Sequence, residues 1–351
     1  MKNITSLLLI FVIGGICLRI HGGDSYDFFM ISDTHFGTAE RFCTDPQAPR
    51  HHRTRKDIHR ADKAMPHYKA LFSHIARSAG AGTKFLIEGG DLIEGCTVSE
   101  AAHGQELADA VSFMAKYFSF PIYMVKGNHE AAGIGGEAAY RRVLLPEIAK
   151  YAKVPELTAA NYAVHHGKDL FVFLDYTSPG WYAFLESSIK TLKEKPRWLF
   201  VVTHCPLIPT WYFRKHALKA VQLISGCNGI LLCGHHHDNT VITYEKDGKK
   251  AVQITVTTLL NPVAPERMRI REKKVTLDTF KNEFRKKAEA KKQQEFLPVF
   301  DRDWSPYITS YRRFPGFGYA RFYVSDREVV IEYRGADLKS SQKVRLMSSG
   351  K

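Results

Sequence analysis

Five apolar runs in this 351-residue chain stop at the same kind of residue. Phe28–Ile31 ends at Ser32-Asp33-Thr34-His35-Phe36-Gly37, Lys84–Ile87 at Glu88-Gly89-Gly90-Asp91, and Pro121–Val125 just before Gly127-Asn128-His129-Glu130. Trp198–Val202 ends at Thr203-His204, and Ile230–Cys233 at Gly234-His235-His236-His237. Short apolar runs bounded by glycine and polar residues read as buried strands. Between them lie stretches with helical spacing: Ala61–Ala79 with Leu71, Ile75 and Ala79 four apart, Ser99–Tyr117 with Leu107, Val111 and Met114 on one face, then Glu137–Tyr151, Gly180–Lys193 and Tyr212–Ile224. Strand–helix alternation predicts an α/β fold, whose sites lie at the carboxyl ends of the strands. With 44% hydrophobic residues the chain can bury a sizeable core, and 25% charged residues excludes global disorder.

The strand ends carry Asp33 with His35, Asp91, Asn128 with His129, His204, and His235 with His237. Carboxylates, imidazoles and an amide oxygen suit iron, manganese or zinc ions. No cysteine joins the set, which argues against a closed structural zinc site. In an extended segment His236 points away from its neighbours, so it stays outside the set. Glu130 and Asp175 read as partners of ligating histidines or as turn residues.

Thr38–Lys63, with Pro46, Pro49 and the cluster His51-His52-Arg53-Thr54-Arg55-Lys56, reads as a surface loop or cap able to draw in anions. Leu170–Leu174, stopped by Asp175, reads as another strand. Thr240–Tyr244 with Ala251–Thr257, and Tyr319–Val324 with Val329–Tyr333, read as hairpins. Within the basic stretch Arg267–Lys292, Leu277, Phe280, Phe284 and Ala288 form a narrow apolar stripe. That stretch reads as a solvated helix packed on the body, or as one lying on anionic lipid or polyanion. Lys339–Lys351 reads as a frayed tail.

Residues 1–22 read as an export signal: Lys2, the apolar run Leu7–Ile13 continued by Gly14, Gly15 and Ile16, and a small residue at Gly22. The run is shorter than a membrane span of about 20 residues. Its removal takes Lys2 and Arg19 and no acid, which lowers the formal charge from +14 to about +12. Such a balance favours anionic partners: phosphate esters, nucleic acid or an anionic membrane surface. Cys43, Cys96, Cys205, Cys227 and Cys233 remain, an odd number with no Cys-x-x-Cys spacing. Cys43 and Cys96 are the pair placed to bridge in loops.

The five motifs together resemble the calcineurin-like metallophosphoesterase superfamily, over about residues 26–260. Its pattern is Asp-x-His, Gly-Asp, Gly-Asn-His-Asp/Glu, a histidine after a strand, and Gly-His-x-His. The resemblance implies an α/β sandwich of two mixed β-sheets flanked by helices, with a dinuclear metal site at strand C-terminal ends. It implies two divalent or trivalent ions (manganese, iron or zinc), one held by Asp33, His35 and His237, the other by Asn128, His204 and His235, with Asp91 bridging. It implies a hydroxide held between the ions that attacks phosphorus in line, and a His129 that protonates the leaving alkoxide or stabilises the phosphoryl group. Two subfamilies fit poorly. The Asp-Arg-Gly of the protein phosphatases is Asp91-Leu92-Ile93 here, and the tyrosine ligand of the purple acid phosphatases is replaced by Glu94.

The organisation expected is a signal over 1–22, a catalytic core over 23–262, a basic helical insertion over 263–300, C-terminal strands closing the core over 301–338 and a flexible tail over 339–351. The expected protein is secreted or periplasmic and hydrolyses phosphate mono- or diesters. One alternative is a nuclease, with basic stretches tracking a phosphate backbone and Trp181, Tyr182, Trp211, Tyr212 and Phe213 available for stacking. Another is a non-catalytic metal-binding surface protein, which predicts a missing ligand or a missing His129; none is missing.

Overall fold

The structure, a computed structural model, describes residues 17–20, 25–45, 47, 55–154, 157, 161–210, 216–259 and 265–348, with backbone alone for 17–20 and 55–62. The chain runs β1 (Cys17–Ile20), β2 (Tyr26–Ile31), α1 (Arg55–Ser78), β3 (Thr83–Glu88), α2 (Glu100–Ala115) and β4 (Ile122–Met124). It continues through α3 (Gly136–Ala139), a π-turn over Tyr140–Leu144, α4 (Leu145–Ala152), β5 (Tyr162–His166), β6 (Asp169–Leu174), α5 (Trp181–Lys190), β7 (Leu199–Thr203), α6 (Ala217–Ser225) and β8 (Ile230–Cys233). Then follow β9 (Thr240–Lys246), β10 (Lys249–Thr255), α7 (Leu277–Ala290), α8 (Leu297–Val299), β11 (Ile308–Arg313), β12 (Gly318–Val324), β13 (Glu328–Gly335) and β14 (Ser341–Ser348).

Two mixed sheets result. One has the order β14-β13-β12-β2-β3-β4, the other β1-β5-β6-β7-β8-β10-β9-β11. β2, β3 and β4 are mutually parallel, as are β6, β7 and β8. Their carboxyl ends therefore collect at one edge of each sheet. The inner faces meet through a layer of rings. Phe28 stacks on Phe322 of its own sheet at 4.6 Å and meets Phe171 and Phe200 of the other sheet edge-on at 5.5 and 5.7 Å. Burial of each such side chain contributes about 1.5–3 kcal/mol, so the sheet spacing is set without help from an ion. Tyr26 adds a polar tie, donating to Asp169 Oδ2 at 2.8 Å, and the same carboxylate takes the fork of Arg197.

The helices cover the outer faces. Leu71 and Ile75 of α1 and Leu107, Val111 and Met114 of α2 are buried, as their spacing predicts. Ser99 caps α2, its hydroxyl accepting from the Ala102 amide at 3.1 Å. Behind the second sheet, Phe280, Phe284 and Ala288 of α7 are buried, and Phe280 stacks on Tyr311 of β11 at 4.2 Å. The basic helix thus packs on the body, and its chain returns to the same sheet as β11.

Several expectations are corrected. The polar stretch read as loop through Lys63 already turns helical at Arg55; its sequence there is rich in charged residues and shows no apolar period that would have announced a helix. His51, His52, Arg53 and Thr54 of the basic cluster lie outside the described residues, as do Trp211, Tyr212 and Phe213. Ser341–Ser348, read as frayed tail, is an antiparallel strand on β13; its buried Val344 and Leu346 alternate with exposed Lys343 and Arg345. Among the described residues Cys43, Cys96, Cys205, Cys227 and Cys233 form no disulfide; Cys43 and Cys96 meet through their backbones, with Cys43 N–H donating to Cys96 O at 2.9 Å. Among the described residues no helix is long and apolar enough to cross a membrane.

Candidate metal centre

The first sheet supplies Asp33 and His35 beyond β2, Asp91 beyond β3 and Asn128 and His129 beyond β4. The second sheet supplies His204 beyond β7, and His235 and His237 beyond β8. The loops that carry them are wound tightly. Asp33, His35, Asp91, His235 and His237 all have positive φ, between 49° and 69°. That region costs a non-glycine residue energy and persists only where the surroundings impose it, typically at functional sites. Here the surroundings are hydrogen bonds: Asp33 N–H to Gly90 O and His35 N–H to Asp91 O, each 2.9 Å, and Thr258 Oγ1 to Asp33 O at 2.6 Å.

Three clusters of ligand-type atoms form, each lying within 4.8 Å: Asp33-His35-His237, His35-Asp91-His129 and Asp91-His204-His235. His35 and Asp91 each belong to two of them, so the clusters form one chain. In the first, His237 Nε2 lies 3.1 Å from His35 Nε2 and 3.0 Å from Asp33 Oδ1. In the last, His204 Nε2 lies 3.1 Å from Asp91 Oδ2 and 3.3 Å from His235 Nδ1.

The donor set fits cations. His204 Nδ1 faces the Gly89 carbonyl at 2.8 Å, and a carbonyl only accepts, so Nδ1 carries a proton. A neutral His204 then points a lone pair at the Asp91 carboxylate, an arrangement that calls for a proton or a metal ion between them. The pKa shifts carry the same tension. Burial pushes the Asp91 carboxyl up, yet His204 and His129 together hold it well below the usual carboxylate range. Burial pushes His204 down, and Asp91 lifts it well above its ordinary value. Burial and then His204 push His235 down to about 4. Asn128 Oδ1 is buried with no hydrogen-bond partner, as befits an oxygen whose partner is an ion.

Partners orient these side chains. His129 Nδ1 donates to Glu94 O at 2.6 Å, which turns Nε2 toward the site, 3.9 Å from Asp91 Oδ2. The His129 amide donates to Asp91 Oδ1 at 2.8 Å, leaving Oδ2 as the oxygen that faces His204 and His129. His35 Nδ1 lies 3.4 Å from Glu94 Oε2. Asp33 Oδ2 accepts from Ser32 Oγ at 2.6 Å and from the His235 amide at 3.0 Å, which fastens β2 to the loop after β8.

Glu130 plays a part its sequence position did not show. Its carboxyl accepts from the amides of Gly127, Asp91 and Leu92 at 2.5, 3.1 and 2.6 Å, and so clasps the loops after β3 and β4 together. Burial, then the Asp91 charge, pushes it up to about 6. Asp175 closes a turn on Thr177 and stands 3.7 Å from the buried Lys126. Trp181 belongs to the core behind the second sheet, and Tyr182 stacks on His216 at 5.0 Å. Glu94 and Thr258 were not singled out as partners; Thr258 has no motif around it, and only packing brings it to Asp33.

Two glycines are fixed by contact. A Cβ at Gly127 would overlap Asp91 Oδ1 and come within 2.8 Å of Glu130 Oε2; one at Gly234 would overlap Ser32 Oγ and stand 2.5 Å from Asp33 Oδ2. Gly127→Ala is therefore expected to displace Asp91, lowering metal content and cutting kcat about 10²-fold, the scale of a displacement near 1 Å. Elemental analysis beside steady-state kinetics checks this, and near-normal values for both would remove the close approach from the account.

Comparison with known proteins follows the same line. Among solved structures, PhoD superposes with a TM-score of 0.52 at 11% identity, covering 92% of this chain and 69% of its own. Purple acid phosphatase PPD1 from yellow lupin (Lupinus luteus) seeds gives 0.51 at 11% identity over 92% of this chain, which spans about half (54%) of the lupin protein. GAP50, the anchor in the inner membrane complex of Plasmodium, gives 0.50 at 12% identity, with 93% of this chain and 90% of that one covered. At such identities the likeness shows the shared fold. No curated protein sequence matches the chain. The family model described as calcineurin-like phosphoesterase matches residues 26–239, more than half of the chain, with the first four motifs and the Gly-His-x-His segment inside the match. The chain belongs to the calcineurin-like phosphoesterase family.

Proposed function

We propose that the protein is an exported hydrolase of phosphoric esters that works with two metal ions held by Asp33, His35, Asp91, Asn128, His204, His235 and His237. The observation that carries this reading is the linked chain of clusters, shared through His35 and Asp91, with the unpartnered Asn128 Oδ1 beside it. Two ions in such a site supply an activated water for in-line attack and offset charge on the phosphoryl oxygens.

The chain's own groups do the rest. Asp91 is anchored by the His129 amide through Oδ1, so Oδ2, which faces His204 and His129, would be the oxygen it offers to a metal ion. His204 is held in one tautomer by the Gly89 carbonyl. His129 is oriented by Glu94 O with Nε2 toward the site and is part exposed, so a protonated Nε2 can donate to a departing alkoxide. The clasp of Glu130 keeps His129 and Asp91 in register. The test is an activity panel on metal-reconstituted protein: aryl phosphate, bis-aryl phosphate, nucleotides, phospholipid head groups and single-stranded DNA. Turnover of the small esters supports the reading, and no turnover with manganese, iron or zinc overturns it.

A nuclease is the second reading, favoured by the exposed lysines Lys286, Lys287, Lys291 and Lys292 on and just after α7. The same face suits an anionic membrane surface. Turnover of DNA with a steep salt dependence, and none of small esters, would select the nuclease.

Export is expected to remove residues up to about Gly22 or Gly23. The cut removes β1 and leaves β5 as the edge of its sheet. Mass spectrometry of the protein from its host reads the new N-terminus, and an intact Met1 in a cytosolic fraction would refute export.

A further inference from the structure

A cavity of about 370 Å³ lies between α7 and the second sheet, and its lining includes residues of the two loops that follow β7 and β8. His236 and Asp238 line it, while their neighbours His235 and His237 join the metal clusters; residues of one short segment thus serve the two sites in alternation. Ile208, Pro209 and Thr210, on the loop that begins at His204, form another wall. The volume lies in the range of small-molecule sites, about 300–1,000 Å³.

The lining has two parts. Phe280 and Phe284 of α7, Tyr311 of β11 and Ile242 of β9 make an apolar wall rich in rings. Lys287 of α7 and Lys291, just after its end, lie four residues apart; both line the cavity and are exposed. Neither lysine makes an ion pair with another described residue, whereas Arg313 is already paired with Asp238. Gln253 is spent too: its side chain accepts from the amides of Leu207 and Ile208 and donates to Ile208 O. Glu283, exposed and one turn before Lys287, also lines the cavity with His236 and Thr210, so the rim keeps a net positive charge from the two ammonium groups beside the ring wall.

We infer that this cavity binds the organic part of the substrate, and that the substrate is an aromatic phosphate ester carrying a second anionic group. The phosphoryl group to be transferred sits at the metal clusters, the ring against Phe280, Phe284 and Tyr311, and the second anion at Lys287 and Lys291. This assignment rests on the phosphoester-hydrolase reading above. The metals act on any phosphoryl group; α7 decides which ester is held well.

The experiment compares phenyl phosphate with adenosine 3′,5′-bisphosphate on the full-length metal-loaded protein, its Lys287→Glu/Lys291→Glu variant and its Ala290→Trp variant, which narrows the mouth. For the bisphosphate, each variant is expected to raise KM about tenfold with kcat little changed; for phenyl phosphate, whose ring enters the cavity but which has no second anion, the lysine variant is expected to stay within about twofold while Ala290→Trp raises KM as well. Equal effects of the lysine variant on the two substrates, or no effect of either variant on the bisphosphate, would overturn the inference. If the wild-type protein hydrolyses neither compound, the hydrolase reading falls. Calorimetry then decides the cavity, because the bisphosphate is no longer consumed: weaker binding to both variants supports it, and unchanged or absent binding overturns it. Circular dichroism confirms that the variants fold.

Discussion

Asp91→Asn is expected to abolish activity and to lower bound metal. Asp91 is a member of two of the three clusters, so it touches both halves of the site. One of its oxygens is committed to the His129 amide, and the other faces His204 at 3.1 Å. An asparagine can keep the first bond only by turning its NH2 group toward His204 and any cation beside it. A charge that would offset an ion is then replaced by a donor that repels one. Loss of several kcal/mol of such stabilisation corresponds to a rate fall of about 10³-fold or more. Steady-state kinetics with elemental analysis measures both effects. Most of the wild-type rate with both ions retained would refute the bridging role.

His129→Ala is expected to cut the rate by about 10²–10⁴-fold while leaving metal content nearly intact, the usual scale for loss of general acid–base catalysis. The reason is positional. His129 Nε2 stands 3.9 Å from Asp91 Oδ2, farther than the His204 and His237 nitrogens stand from their carboxylates, and its ring is more exposed than that of His204. It belongs to the middle cluster, but it is partly exposed and less closely held to a carboxylate than those two histidines. The defect is expected to shrink with aryl phosphates whose leaving group needs no proton. An equal loss for good and poor leaving groups would remove the general-acid role and leave phosphoryl stabilisation by His129 in its place.

The sequence made the strands of the site readable because each is a fully buried apolar run cut off by a polar loop. Burial on both faces removes alternation and leaves a compact signal at β2, β3, β7 and β8. The edge strands gave no such signal. β11 and β14 read Ile-Thr-Ser-Tyr-Arg-Arg and Ser-Gln-Lys-Val-Arg-Leu-Met-Ser, and their polar residues face water at a sheet margin. β5 was missed for a related reason: His165 and His166 interrupt its apolar character, although His166 is packed against Tyr26 and Phe85.

Within the site, residue types were legible and conformations were not. A carboxylate or imidazole after a strand announces a ligand, but nothing in the letters shows that five of these residues adopt positive φ. Nor do they show that Glu130 spends its carboxyl on backbone amides rather than on a histidine, since that follows from two loops meeting in space. The apolar stripe of α7 was visible as a periodicity, whereas the cavity beneath it needed β9 and β11 as its floor.

The central claim is that the linked clusters form a two-ion hydrolytic site. It is tested most directly by stripping the full-length protein with a chelator and titrating manganese, iron or zinc back while phosphate-ester hydrolysis and bound metal are recorded together. The expected result is no activity in the stripped protein and a rise that saturates at two ions per chain. Full activity in metal-free protein, or saturation with no hydrolysis of any phosphate ester, would contradict it.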